Sequence, residues 1–408
     1  MRKIELLAPA GDFEKLKTAI DYGADAVYLG GDSFGLRKAS KNFSLDEIAE
    51  GVKYSHERGR KVYVTMNIVP HDKDMVGAAD YAKSLVDVGV DAIIVSDLGM
   101  MSLLMREVPD IKIHISTQAS VTNYETVMFY YNLGIRRIVF ARELSLAEIK
   151  EIRSKVPDDM DIECFVHGAM CISYSGRCLI SNYMTGRDAN QGDCAQGCRY
   201  KYNLVEEKRP GEYFPIIEDD EGTFILNSKD LCMLPYIPEM VDAGITSFKI
   251  EGRVKSSYYI ATVLSSYRRA IDDFIRLGDN YKYDPSLMDE IKKASHRDFT
   301  TGFYFGKPDE SAQNYGTSSY VRGYDFIGIV KDYDRNTGIA IIEQRNRFFP
   351  GEEIEIFGPR GYYKETINGL TDLDGNPKDV ANIPQELVKI KVDNEVQENY
   401  MLRRKNEE

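Results

Sequence analysis

The chain has 408 residues, 43% of them hydrophobic and 29% charged, a composition that supports a sizeable core and more than one domain. Its 52 Lys and Arg stand against 65 Asp and Glu, a net charge of -13, so non-specific attraction of polyanions is excluded and any nucleic-acid contact needs a local basic face. No apolar run reaches the roughly 20 residues of a membrane helix, and MRKIELLAPAGD runs directly into a folded pattern rather than a signal peptide. The expected location is the cytoplasm, where disulfides rarely persist.

Along the first 250 residues one unit recurs: a helical stretch, a glycine, then a short strand. It is seen in YGADAVYLG (22-30), VGVDAIIVSD (88-97), LGIRRIVFAR (133-142) and AGITSFKIEGR (243-253). Further strand-like runs are IELLAPAG (4-11), KVYVTMN (61-67), IKIHISTQ (111-118) and DIECFVHG (161-168). Amphipathic stretches alternate with them; in SLDEIAEGVKYSHERG, Leu45, Ile48, Ala49 and Val52 keep helical spacing. Eight βα units predict a TIM-type (β/α)8 barrel over residues 1-310 rather than an open doubly wound sheet, and no GxGxxG follows the first strand.

A barrel places its chemistry at the carboxyl ends of its strands. There the sequence turns polar: Asn67, Ser96-Asp97, Thr117-Gln118, Arg142-Glu143, His167, Lys249, Glu251 and Arg253. Strand ends meet solvent and are often polar for that reason alone; together these residues predict an active-site mouth, with His167, Glu251, Gln118 and Asn67 as catalytic candidates. Between the seventh and eighth strands lies an insertion of about 75 residues (169-243), well above ordinary βα loop length.

Five of the six cysteines lie in that insertion. Cys171, Cys178, Cys194 and Cys198 form Cys-x6-Cys-x15-Cys-x3-Cys, a soft-ligand set that suits zinc or an iron-sulfur cluster. The Cys194-x3-Cys198 pair has structural-zinc spacing and Cys171-x6-Cys178 does not, so both metals stay open at this point. Glycines at 168, 176, 192 and 197 flank the set. Cys232 is either a substitute ligand or a buried thiol, and Cys164, inside DIECFV, reads as core. His167 precedes Cys171 by four residues, which suggests a Cys-His pair, but no cysteine-protease signature accompanies it, and HExxH and GxSxG are absent.

After residue 310 the periodicity changes. YDFIGIVKDYDRNTGIAIIEQRNRFFPGEEIEIFGPRG alternates apolar and polar residues around turns at Asn336-Thr337-Gly338 and Pro350-Gly351, and QELVKIKVDN adds a strand. Residues 311-408 are therefore expected to form a small closed β-barrel of roughly 85 residues, joined to the large one by helices over 254-295.

The run Glu163-x-Phe165-x-x-Gly168-Ala169-Met170-Cys171-x4-Gly176-x-Cys178-x-Ile180-Ser181 resembles the signature of peptidase family U32, the collagenase-like peptidases. LLAPAGDFEKLKTAIDYGADAVYLGG, NSKDL (227-231) and KIEGRVKS (249-256) are similar as well, so the resemblance spans essentially the whole chain. Members include RNA hydroxylases acting on wobble uridine of tRNA or on ribosomal RNA cytidine, and a ubiquinone-hydroxylation pair. The resemblance implies a 4Fe-4S cluster, carried by position onto Cys171, Cys178, Cys194 and Cys198, and prephenate dependence. GDCAQGCRYKYN and the C-terminal β-domain look most like the tRNA-hydroxylating branch.

Local charge is compatible with an RNA partner. Arg177, Arg187, Arg199, Lys201, Lys249, Arg253 and Lys255 lie near the expected mouth, with Arg268 and Arg269 farther on. Tyr200 and Tyr202 alternate with Arg199 and Lys201, placing stacking surfaces beside cations; such residues also commonly balance nearby carboxylates. Arg142, Arg253 and Lys249 suit a dicarboxylate such as prephenate, because guanidinium forks bind carboxylates bidentately. A collagenase-like peptidase and a cluster-carrying binding protein are the competing expectations.

Overall fold

The computed structural model describes residues 4-35, 42-171, 173-175, 177-199, 203-205, 213-215, 228-308 and 320-406. Strands β1 (Glu5–Pro9), β2 (Ala26–Leu29), β3 (Lys61–Met66), β4 (Ala92–Val95), β5 (Ile113–Ile115), β6 (Arg137–Val139) and β7 (Asp161–Ala169) pair in parallel in chain order. Within the insertion, β8 (Asn203–Val205) and β9 (Tyr213–Pro215) form a separate antiparallel pair, and β10 (Asp230–Cys232) runs antiparallel to β7. Strand β11 (Ser247–Ile250) pairs with both β1 and β7, which closes an eight-stranded parallel ring. This is the expected TIM-type barrel, and each of the eight strand-like runs contains one of its strands.

Helices α1 (Phe13–Asp21), α2 (Leu45–His56), α3 (Ala78–Asp87), α4 (Leu98–Glu107), α5 (Tyr124–Asn132) and α6 (Leu146–Lys155) follow β1 to β6. Their starts are written in the sequence. Ser44 with Glu47 and Ser145 with Glu148 form reciprocal capping boxes, while Asp97 and Asn123 accept from the third residue beyond them. The recurrent glycine of the repeat follows four of the helices in the left-handed region: Gly23, Gly89, Gly134 and Gly244 have φ between 85° and 106°. The insertion also holds α7 (Ile180–Thr185), α8 (Ile237–Asp242) precedes β11, and β12 (Phe299–Thr300) pairs with β10.

Inside the ring one wall is apolar, built from Leu7, Ala26, Tyr28, Tyr63, Ala92 and Ile94. The other is charged. Glu163 is fully buried and accepts from Lys249 Nζ at 2.6 Å, while Arg137 lies 3.6 Å from its second oxygen and also bonds Glu5.

The chain divides into two compact units. The first holds residues 1-20, 24-255 and 297-320; the second holds 21-23, 256-296 and 321-408, so α9 (Ser257–Leu277) and α10 (Ser286–Ile291) group with the C-terminal strands. These strands are β13 (Tyr324–Asp334), β14 (Ile339–Gln344), β15 (Glu353–Gly358), β16 (Gly361–Thr366), β17 (Asn368–Thr371), β18 (Leu387–Lys391) and β19 (Met401–Lys405). They form one antiparallel sheet in the order β16-β15-β19-β13-β14-β18-β17, curled around Ile327, Ile342, Phe348, Ile356, Val388 and Leu402 and keeping two edge strands. Arg403 is buried between Glu355 and Glu290. Among the described residues no helix is long and apolar enough to cross a membrane.

Candidate active site

The period of two along each strand aims alternate side chains into the barrel, and the last inward positions converge at its carboxyl end. Asn67 and Gln118, from the ends of β3 and β5, meet directly: Asn67 Nδ2 donates to Gln118 Oε1 at 2.7 Å. Ser116 Oγ donates to the same oxygen at 2.6 Å, and Ser96 Oγ donates to the Asn67 carbonyl at 3.1 Å. A fixed amide cluster results on this side of the mouth, with Gln118 only partly buried.

On the opposite side, His167 and Glu251 end neighbouring strands and are both buried. The Glu251 N–H donates to the His167 carbonyl at 2.9 Å. Gly168, at φ 110°, admits this approach, since a Cβ there would stand 2.7 Å from the Glu251 carbonyl oxygen. The imidazole of His167 lies 5.7 Å from the Phe299 ring, centroid to centroid.

Arg253 is buried over Gly30. Its guanidinium donates to Asn42 Oδ1 at 3.1 Å and to Thr65 Oγ1 at 3.5 Å, and a Cβ on Gly30 would come within 2.3 Å of it. Two other expected anion-binding cations are engaged differently. Lys249 lies deeper, paired to Glu163 with its ammonium 4.4 Å from the centre of the Tyr28 ring. Arg142 donates to the Ala169 carbonyl at 2.6 Å and stacks 3.9 Å over Phe165, so it braces the end of β7. Arg177 is exposed and reaches the Gln118 carbonyl at 3.4 Å. Tyr200 lies outside the described residues, as does Gly176.

Sequence reading missed Ser116, Thr65 and the ionic layer of Glu5, Arg137 and Glu163. Thr65 stands two positions before Asn67 on β3, so the strand period was an available signal. The ionic layer joins residues 132 apart, and only the closed register reveals it. Burial pushes the Glu5 carboxyl up, but the Arg137 charge and hydrogen bonds from Arg137, Tyr63 and Ser247 together hold it below its ordinary value. Burial also raises the carboxyl of Glu143, near the mouth.

On the cysteine segment, Cys171 and Cys194 are exposed, Cys178 and Cys198 half-buried, and no described cysteine is in a disulfide. Cys194 Sγ accepts from the Gln196 N–H at 3.4 Å and from Ser181 Oγ at 3.7 Å. Ser181 is held in place by the Ala195 N–H at 3.0 Å. Cys232 is buried in β10 opposite His167, and Cys164 is buried in β7. Burial, reinforced by Glu163, drives the Cys164 thiol far above the ordinary range, which removes it as a nucleophile. Among the described residues no three His, Cys, Asp or Glu side chains are gathered as a metal site. The donor chemistry nevertheless fits a soft metal: four accessible or partly accessible thiols, one already receiving N–H and O–H donors.

A eight-stranded barrel with a cysteine-bearing insertion beside a polar mouth, followed by a curled antiparallel sheet, defines a class. Residues 11–314 match peptidase family U32 and residues 322–403 match the peptidase family U32 C-terminal domain. The chain belongs to this family. It is 43% identical over 404 residues to tRNA hydroxylation protein P1 of Bacillus subtilis, covering 99% of this chain and 95% of that protein. Similarity to tRNA hydroxylation protein P of Escherichia coli is 35% over 446 residues, covering 100% and 97%. A collagenase of Porphyromonas gingivalis is 31% identical over 371 residues, covering 87% and 86%.

Proposed function

We propose that the protein is an RNA-modifying enzyme that takes part in hydroxylating wobble uridine of tRNA to 5-hydroxyuridine. The observation that carries this reading is the end-to-end match, through both units, to proteins named for tRNA hydroxylation. The mouth is compatible with it. Asn67, Ser116 and Gln118 present a fixed set of hydrogen-bonding groups suited to the edge of a base, and Arg177 stands exposed beside them.

Cys171, Cys178, Cys194 and Cys198 would hold a 4Fe-4S cluster, with Cys232 as the substitute for Cys198. When bound, such a cluster supplies one-electron transfer or shapes the segment that borders the mouth. Prephenate is the proposed co-substrate, and its carboxylates suit Arg253, the guanidinium seated over Gly30. The expected compartment is the cytoplasm.

The test is mass spectrometry of tRNA nucleosides from a strain lacking this gene and any paralogue. Loss of wobble 5-hydroxyuridine is expected; unchanged 5-hydroxyuridine with loss of ribosomal 5-hydroxycytidine would move the substrate to ribosomal RNA. Anaerobic purification followed by iron and acid-labile sulfide analysis tests the metal, and zinc without sulfide would overturn the cluster. Serine at Cys198 and at Cys232, separately, identifies the fourth ligand by which variant loses iron.

A peptidase reading has the collagenase relative in its favour. Geometry speaks against it: Ser116 and Ser96 donate to an amide oxygen and a carbonyl rather than to a base, and Cys164 is buried with a strongly raised thiol. Peptide hydrolysis by metal-free protein would favour it instead.

A further inference from the structure

The barrel has another open end. At the amino ends of β3 to β7, on the face away from the mouth, a cavity of about 550 Å³ opens between the strand starts and the loops that follow α4 and α5. Its floor is polar, formed by Tyr63, His114 and Arg137, all buried. Its outer wall is apolar, with Met105, Leu133 and Ile135. A void of this size, with an apolar wall on one side and charged and polar groups on the other, has the character of a small-molecule site rather than of a packed barrel base.

The charges at this end are unequally engaged. Asp91 is held by His56 and by the Val62 N–H, and Asp161 by Arg137 and Thr246; Asp110 is exposed at the rim. Arg136 is paired to Asp159. Lys61 and Lys112 line the same cavity, are exposed, and have no carboxylate within ion-pair distance among the described residues. Two buried nitrogens of the floor, Arg137 Nε and His114 Nδ1, have no hydrogen-bond partner among the described residues. Burial, then the positive charges of Arg137, Lys249, Lys61 and Lys112, hold His114 well below its ordinary value.

We propose that this cavity binds a small organic oxyanion, a carboxylate or phosphate carried on an apolar body. The head group lies between the Lys61 and Lys112 ammoniums, where charge-assisted hydrogen bonds are strongest, and the body lies against Met105, Leu133 and Ile135. The site is distinct from the mouth and does not depend on the RNA reading. A bound anion stands beside Arg137, which contacts Glu163 and through it Lys249, on the strand that leads to Glu251 and Arg253.

Isothermal calorimetry on the full chain, with phenyl phosphate and benzoate as probes at constant ionic strength, tests the assignment. Saturable binding of one probe is expected, and the better probe names the head group. The double variant K61A/K112A should weaken binding tenfold or more, and L133D, which places a like charge on the apolar wall, should weaken it as well. K150A/K155A removes the same charge from α6 and should bind like the parent chain. Non-saturable heats with both probes, or undiminished affinity in K61A/K112A, overturn the site.

Discussion

Replacing Lys249 by methionine removes one member of a buried pair while keeping most of its volume. Glu163 is then left in the barrel interior with Arg137 at 3.6 Å as its remaining cation. Breaking a buried pair on one side costs about 3-5 kcal/mol, because the surviving charge stays desolvated. The remaining Arg137 contact places the expected loss near the lower end, about 3 kcal/mol, or a fall in melting temperature of roughly 6-12 °C for a unit of this size. The chain contains no tryptophan, so urea unfolding is followed by circular dichroism, with its tyrosines reporting tertiary structure in the near ultraviolet. The double variant K249M/E163M removes the orphaned carboxylate too, and it should be less destabilised than the sum of the single variants by at least about 1 kcal/mol. A K249M protein within about 1 kcal/mol of the parent chain, with additive single and double variants, would refute the claim that this pair organises the barrel interior.

The acid limb of stability should report Glu5. Its folded value is held below the unfolded one, so its contribution is complete above about pH 4.3 and is lost as pH falls through the folded value; urea midpoints between pH 3 and 6 should flatten in E5Q. Thiol labelling of cluster-free protein should modify Cys171 and Cys194 first, with Cys164 and Cys232 reacting only on unfolding; rapid native labelling of Cys164 would contradict its burial. Alanine at Gly30 forces its Cβ onto the Arg253 guanidinium, so G30A should lose about 1-3 kcal/mol and impair the proposed binding of prephenate more than it impairs folding, as melting curves beside a prephenate titration would show.

The barrel was legible because its signals are local. Glycines after α1, α3 and α5, capping Ser, Asp or Asn side chains at the starts of α2, α4, α5 and α6, and short β-rich runs between them are all read within about ten residues. The mouth was half legible by the same means: Asn67, Gln118, His167, Glu251 and Arg253 stand at strand ends, and strand ends converge in any closed barrel. What Lys249 and Arg142 do there was not legible. Both look like anion-binding cations in one dimension, yet one answers Glu163 across a register fixed by ring closure and the other the Ala169 carbonyl. The C-terminal strands were visible from alternation, but their order, with β19 inserted between β15 and β13, is a long-range property. Cysteine spacing pointed to soft-metal chemistry without fixing how the four thiols are disposed.

The ladder between β7 and β10 sets Ala169 directly opposite Asp230. The chain that carries all four proposed ligands therefore departs from the barrel sheet and rejoins it at adjacent positions. In terms of construction the segment is a cassette: it can lengthen or shorten between two fixed points while the ring beneath keeps its register. A chain built this way can change what stands beside the mouth without redesigning the barrel that carries it.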